Sequence, residues 1–174
     1  MLYIATTRFN DATWQQNNSW RERHEWAGCI YGSPTLIKDT IPIGMNVAIL
    51  EMHNDLNTIM GIGIISNNIE KEKKYQLYEW GNYNRFIYKS LYRIDRGMLD
   101  EEELKIITIL ETLVFKGSRH LKRGHGITVL PEWIIKNKHI SFEERLRQMF
   151  LLRGNNRGRQ MASVHQIIKC QARR

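Results

Sequence analysis

Five tryptophans occur in 174 residues, and four of them (Trp14, Trp20, Trp26 and Trp80) lie in polar stretches outside any aliphatic run. An indole in such a place can stack a base or enclose a methylated group, through π contacts and through cation–π attraction where the group is charged. The competing role is a structural lid over the core. Trp14, Trp20 and Trp26 follow one another at intervals of six. That spacing matches neither a helical stripe nor a strand alternation, so these indoles are not expected to share one face.

The second group suited to chemistry is cationic. Lys116, Arg119, Lys122 and Arg123 fall in one loop-like stretch without an acidic residue, and Arg153, Arg157, Arg159, Lys169, Arg173 and Arg174 follow near the end of the chain, again unopposed. Together they outnumber the net charge of +8, so the remainder of the chain is slightly acidic. Concentrated positive charge attracts phosphate and releases counterions on contact. The alternative is a solvated basic face. A membrane surface is the weaker match, because no long basic amphipathic helix with aromatic anchors is present.

Other chemistries find little support. Gly117, Gly124 and Gly126 punctuate the basic loop, but their spacing fits neither the Walker phosphate loop nor the dinucleotide fingerprint, so no cofactor is expected. His120 and His125 have no Cys, Asp or Glu beside them at ligand spacing, and no metal site is expected there. Cys29 and Cys170 are isolated, which offers neither a disulfide framework nor a metal knuckle. There is no Gly-x-Ser-x-Gly elbow. The carboxylates Asp100 to Glu103 are explained by the start of a helix. No apolar run approaches the roughly 20 residues of a membrane span, and the first residues lack a signal-peptide pattern. An intracellular protein, cytoplasmic or nuclear, is the expectation.

The elements that must position these groups read as one domain over residues 1–174, with hydrophobic residues at 42% and charged residues at 25%. A strand is expected over residues 2–7. The clearest strands are residues 46–53 and 58–66, joined by a turn at Asn54-Asp55-Leu56-Asn57. Gly61 and Gly63 interrupt the second strand and imply a bulge, a sharp bend or a close approach. Residues 86–94 read as one further strand and 127–130 as a short closing one. Asp100 with Glu103 forms a capping-box pattern before Leu104, Ile107, Leu110 and Val114, which predicts a helix over 101–114. Ser141 with Glu144 starts another, and Met161, Val164, Ile167 and Ile168 give a last helix an apolar side.

The order of these features resembles the PUA-like superfamily, nearest to YTH and EVE domains. The resemblance is carried by the Trp/Asn segment (Trp14 to Trp26), the strand pair with Gly61-Ile62-Gly63 in its second member, Trp80, and the aromatic strand at Tyr83-Asn84-Arg85-Phe86-Ile87-Tyr88. It covers roughly residues 2–130. It implies an α+β fold, a small PUA-like β-barrel of five or six strands over about residues 1–135 with flanking helices. A basic helical extension over 136–174 has no counterpart there. It also implies an aromatic cage for a modified base, with Trp20 or Trp26 and Trp80 as cage members and Asn17 or Asn18 as the base-edge partner.

The expected function is therefore a nucleic-acid-binding module that recognises a modified base, such as N6-methyladenine, in RNA or another single strand. Trp20, Trp26, Trp80, Asn17 and Asn18 would read the base, and Lys116, Arg119, Lys122, Arg123, Arg157 and Arg159 would hold phosphates. Two other readings stand beside it. One is a small ribonuclease of the ASCH type, with Tyr3, Lys89 and His120 as candidates. The other is an interaction protein, for instance a viral factor binding a host protein through its basic tail.

Overall fold

The computed structural model describes residues 1–156, the side chains of the last three excepted. The chain runs β1 (Tyr3–Phe9), α1 (Asp11–Arg23), β2 (Cys29–Ser33), β3 (Asn46–His53), β4 (Thr58–Ser66), β5 (Phe86–Ser90), β6 (Tyr92–Asp95), α2 (Glu101–Phe115), β7 (Thr128–Val129), α3 (Glu132–Ile135) and α4 (Phe142–Asn156). Arg157, Arg159 and the expected stripe at Met161, Val164, Ile167 and Ile168 lie outside the described residues.

The fold is α+β. Five strands form a mixed sheet in the order β6-β4-β3-β1-β7, and β2 pairs with β5 in a separate two-stranded ribbon. β1 lies parallel to β3, with Tyr3 opposite Val47, and every other pair is antiparallel. The expected closed barrel is not formed. Residues 86–94 are two strands and not one. The chain breaks at the exposed Leu91, β5 joins the ribbon, and β6 returns to the edge of the sheet beside β4. The sheet therefore ends on β6 at one side and on the two-residue β7 at the other. Among the described residues no ladder joins those edges.

All eight residues of β3 are buried, and its alternation splits two cores. Ala48, Leu50 and Met52 pack with Ile107, Leu110 and Val114 of α2 and with Phe142, Leu146 and Phe150 of α4. Val47 and Ile49 pack on the other side with Ile30 and Tyr31 of β2, Tyr88 of β5 and Trp20 of α1. The result is three layers: helices, sheet, and a ribbon flanked by α1.

Capping sets both long helices that bracket this arrangement. Asp100 accepts from the Glu103 amide at 2.9 Å, and Glu103 returns a bond from the Asp100 amide at 3.0 Å. Asn10 and Thr13 make the same reciprocal pair at the start of α1, at 2.9 and 3.0 Å. The polar stretch that holds Trp14 and Trp20 is consequently a helix, which its side-chain pattern did not announce. Only Asn17 and Trp20 of α1 are buried, so no apolar stripe marks it.

The two glycines of β4 serve two of the three purposes expected of them, a bulge and a close approach. The register shifts between Leu50 and Met52, which leaves Met60 and Gly61 facing Glu51 alone, a β-bulge. A methyl group on Gly61 would lie 2.6 Å from a Glu51 carboxylate oxygen, and one on Gly63 would strike the Tyr31 hydroxyl and lie 2.7 Å from Cys29 Sγ. Tyr31 and Cys29 are fully packed and have nowhere to move. Gly63→Ala should therefore lower stability by about 1–3 kcal/mol, the usual cost of overpacking a filled core. A urea melt reads this as a lower midpoint. An unchanged midpoint would show that the ribbon yields.

Candidate nucleic-acid interface

A cavity of about 490 Å³ opens where the end of β1 meets the start of α1, the loop before β5 and the basic loop before β7. Three groups in its lining matter for chemistry: Arg8, the aromatic pair Trp80 and Tyr83, and the basic Lys122, Arg123 and His125.

Arg8 organises the basic side. Its Nε donates to the Leu121 carbonyl, Nη1 donates to the Gly126 carbonyl at 3.2 Å and to Thr128 Oγ1 at 3.1 Å, and Nη2 donates to Thr6 Oγ1 at 3.0 Å. All of these acceptors are neutral, and among the described residues no carboxylate forms an ion pair with the guanidinium. Burial pushes the Arg8 pKa down to about 10, with Tyr83 acting weakly the other way, and the group stays cationic at neutral pH. Gly124 lies flat on this guanidinium. A methyl group there would sit 2.7 Å from Nη1. Gly126 has φ +61, a left-handed conformation that glycine adopts without strain, and a side chain there would strike Ser33 Oγ. Gly124 and Gly126 are thus explained by the docking of the loop on Arg8 and β2, not by a phosphate-loop motif.

The aromatic side is held just as locally. Asn84 Oδ1 accepts from the Leu77 and Tyr78 amides at 2.8 and 3.0 Å, and its Nδ2 donates to the Tyr78 carbonyl at 2.6 Å. The Glu79 amide donates to Gln16 of α1 at 3.2 Å. This clamp presents Trp80 with 78% of its surface exposed. Tyr83 Oη lies 3.5 Å from His125 Nδ1, bringing the two sides of the cavity together.

The structure brings Trp80, Lys122 and Arg123 to this cavity and, among the described residues, places the other expected ones elsewhere. Trp20 is 5% exposed and stacks on His24 with ring centroids 4.0 Å apart. Trp26 donates from its indole to the Cys29 carbonyl at 3.2 Å. Lys89 Nζ sits 3.8 Å from the Trp26 ring centroid, 5.8 Å from Trp20 and 5.6 Å from Tyr75. The aromatic box on that side of α1 is filled by the chain's own ammonium. A sandwich of one base between Trp80 and Trp20 or Trp26 is not assembled.

Asn17 is buried and commits its amide to the Ile30 carbonyl at 2.8 Å and to Tyr78 Oη at 3.2 Å. Asn18 borders a second, shallower hollow with Arg21 and Trp26, and Arg21 bonds to it. Lys116 and Arg119 are exposed, the latter with its guanidinium carbon 5.9 Å from the Trp133 ring. Lys122 also reaches Asn57 Oδ1 at 2.8 Å. Tyr3, Lys89 and His120, the candidates for a ribonuclease, do not line the cavity.

Arg8, Tyr83 and His125 were missed by sequence reasoning. Arg8 sits at the end of a strand with no local feature to single it out, whereas the turn-forming Asn84 between Tyr83 and Phe86 was a readable signal for the clamp. No described helix is long and apolar enough to cross a membrane. Compared with family models, curated proteins and solved structures, the chain matches none.

Proposed function

We propose that this chain binds single-stranded nucleic acid, RNA foremost, and seats one unpaired, modified base against Trp80 in the 490 Å³ cavity. The observation that carries the reading is an indole 78% exposed in a cavity also lined by Lys122, Arg123 and the half-buried Arg8, whose hydrogen bonds go to neutral acceptors. A base offers a π face to the indole, and its phosphates offer charge to the basic loop. The glycine-bearing strand pair and the tryptophan after it are also the features shared with PUA-like, YTH and EVE domains, and the modified base comes from that resemblance. Trp80 and Tyr83 take the role first expected of several tryptophans.

The test is affinity for a set of short RNAs that differ only in one base modification, measured across a salt series. Phosphate contacts should give a log–log salt slope of about −0.7 for each phosphate neutralised on a single strand. Arg123→Ala should weaken every RNA alike and flatten the slope by about 0.7, with the preference among modifications intact. An unmodified and a modified strand bound equally well by the unaltered protein would remove the reader function. A slope that Arg123→Ala leaves unchanged would remove the basic loop from the interface.

A further inference from the structure

Three side chains meet beside the cavity from different parts of the chain. Asp11 is the first residue of α1, His53 the last of β3, and Asp55 lies in the turn to β4. Each offers a donor atom within 4.8 Å of the others, and among the described residues they form a cluster of the composition that holds metal ions. His53 Nε2 lies 3.4 Å from Asp11 Oδ1. Asp55 Oδ2 accepts from the Asp11 amide at 2.9 Å.

Two aspartates at a helix start are stabilised by the helix dipole without any ion. That accounts for the carboxylates and not for the imidazole. His53 is 2% exposed, its Nδ1 has no hydrogen-bond partner, and its Nε2 faces Asp11 beyond good hydrogen-bond length. Buried polar rings are ordinarily satisfied, and an imidazole held this weakly beside two carboxylates can take a cation as its partner.

We propose that Asp11, His53 and Asp55 bind a divalent transition-metal ion of the Zn2+ or Mn2+ class. One imidazole nitrogen and two carboxylate oxygens suit a borderline ion, with metal–ligand distances of roughly 2.0–2.2 Å. The Asp11 side chain is 81% exposed. Three protein ligands leave positions open for water or a phosphate oxygen. Asn10 and Asn54, the sequence neighbours of these ligands, line the cavity, so the ion places further positive charge at its rim. The site is independent of whether the cavity takes nucleic acid.

The experiment uses the full chain, stripped with a chelator and free of nucleic acid, titrated with ZnCl2 by calorimetry and with MnCl2 by water-proton relaxation. One equivalent of ion should bind at micromolar concentration, and Mn2+ should enhance relaxation through its open positions. Asp11→Asn and Asp55→Asn should each weaken binding by about tenfold or more, while the melting temperature of the metal-free protein stays put. On adding Zn2+ to the unaltered chain, the 15N resonances of the His53 ring should shift. Ions that bind elsewhere, at His120 or His125, would leave those resonances in place and both variants at full affinity. That result, or no binding at all, overturns the proposal.

Discussion

Glu51→Ala should lower the free energy of unfolding by about 3–5 kcal/mol, the cost of leaving a buried charge without its partner. Glu51 sits in the middle of β3 with its side chain 2% exposed, opposite Arg93 of β6 at 5%. One carboxylate oxygen accepts from Tyr31 Oη at 2.7 Å and from Arg93 Nε at 2.9 Å, and the other accepts from Arg93 Nη2 at 2.8 Å. Arg93 Nη1 donates to Asp95 at 2.9 Å. Burial alone would depress the Arg93 pKa, but Glu51 outweighs it and holds the guanidinium firmly protonated. Removing the carboxylate leaves that cation with only the half-exposed Asp95 and takes the acceptor from the Tyr31 hydroxyl. Arg93→Met should cost a similar amount by stranding Glu51, and Glu51→Ala with Arg93→Met should cost much less than the sum. Urea titrations of the four proteins read this directly. A single-variant loss below about 1 kcal/mol would mean that water reaches the pair.

Trp80→Ala should weaken binding to the preferred RNA by about fivefold to more than a hundredfold, the 1–3 kcal/mol that stacking one base contributes. Its surface is mostly in solvent, so the melting temperature should barely move. Trp20→Ala should behave in the opposite way. It removes a buried indole at a cost of about 3–5 kcal/mol, and the discrimination among modified bases should survive in whatever fraction stays folded. Indole fluorescence provides a second readout, because a base stacked on Trp80 quenches its emission and Trp80→Ala abolishes that quenching. Full affinity in Trp80→Ala would take the base out of this cavity.

Both variants bear on how the chain encodes its site. The strand pair Asn46–His53 and Thr58–Ser66 was legible because apolar runs bounded by Asn and Asp turns act over a few residues. The α2 start was legible because Asp100 and Glu103 satisfy each other's amides. The bulge at Gly61 and the close approach at Gly63 followed from a glycine's missing side chain. Helix α1 was not legible, since it buries only two residues and its stability comes from a cap and from neighbours distant in sequence.

By itself, then, the amino-acid sequence determined the strand pair Asn46–His53 and Thr58–Ser66, the start of α2 and the placement of charge in one loop. Tertiary structure alone decided that the sheet stays open, because Leu91 divides residues 86–94 between two sheets that no local signal distinguishes. It alone decided that Trp80 shares a cavity with Lys122 and Arg123 while Trp20 and Trp26 close on Lys89. It also gathered Asp11, His53 and Asp55. The physical reason is common to all three. Helix caps, turns and alternation are interactions between residues a few positions apart, whereas a cavity wall, an aromatic box and a ligand cluster are made by residues that meet only after the layers have packed.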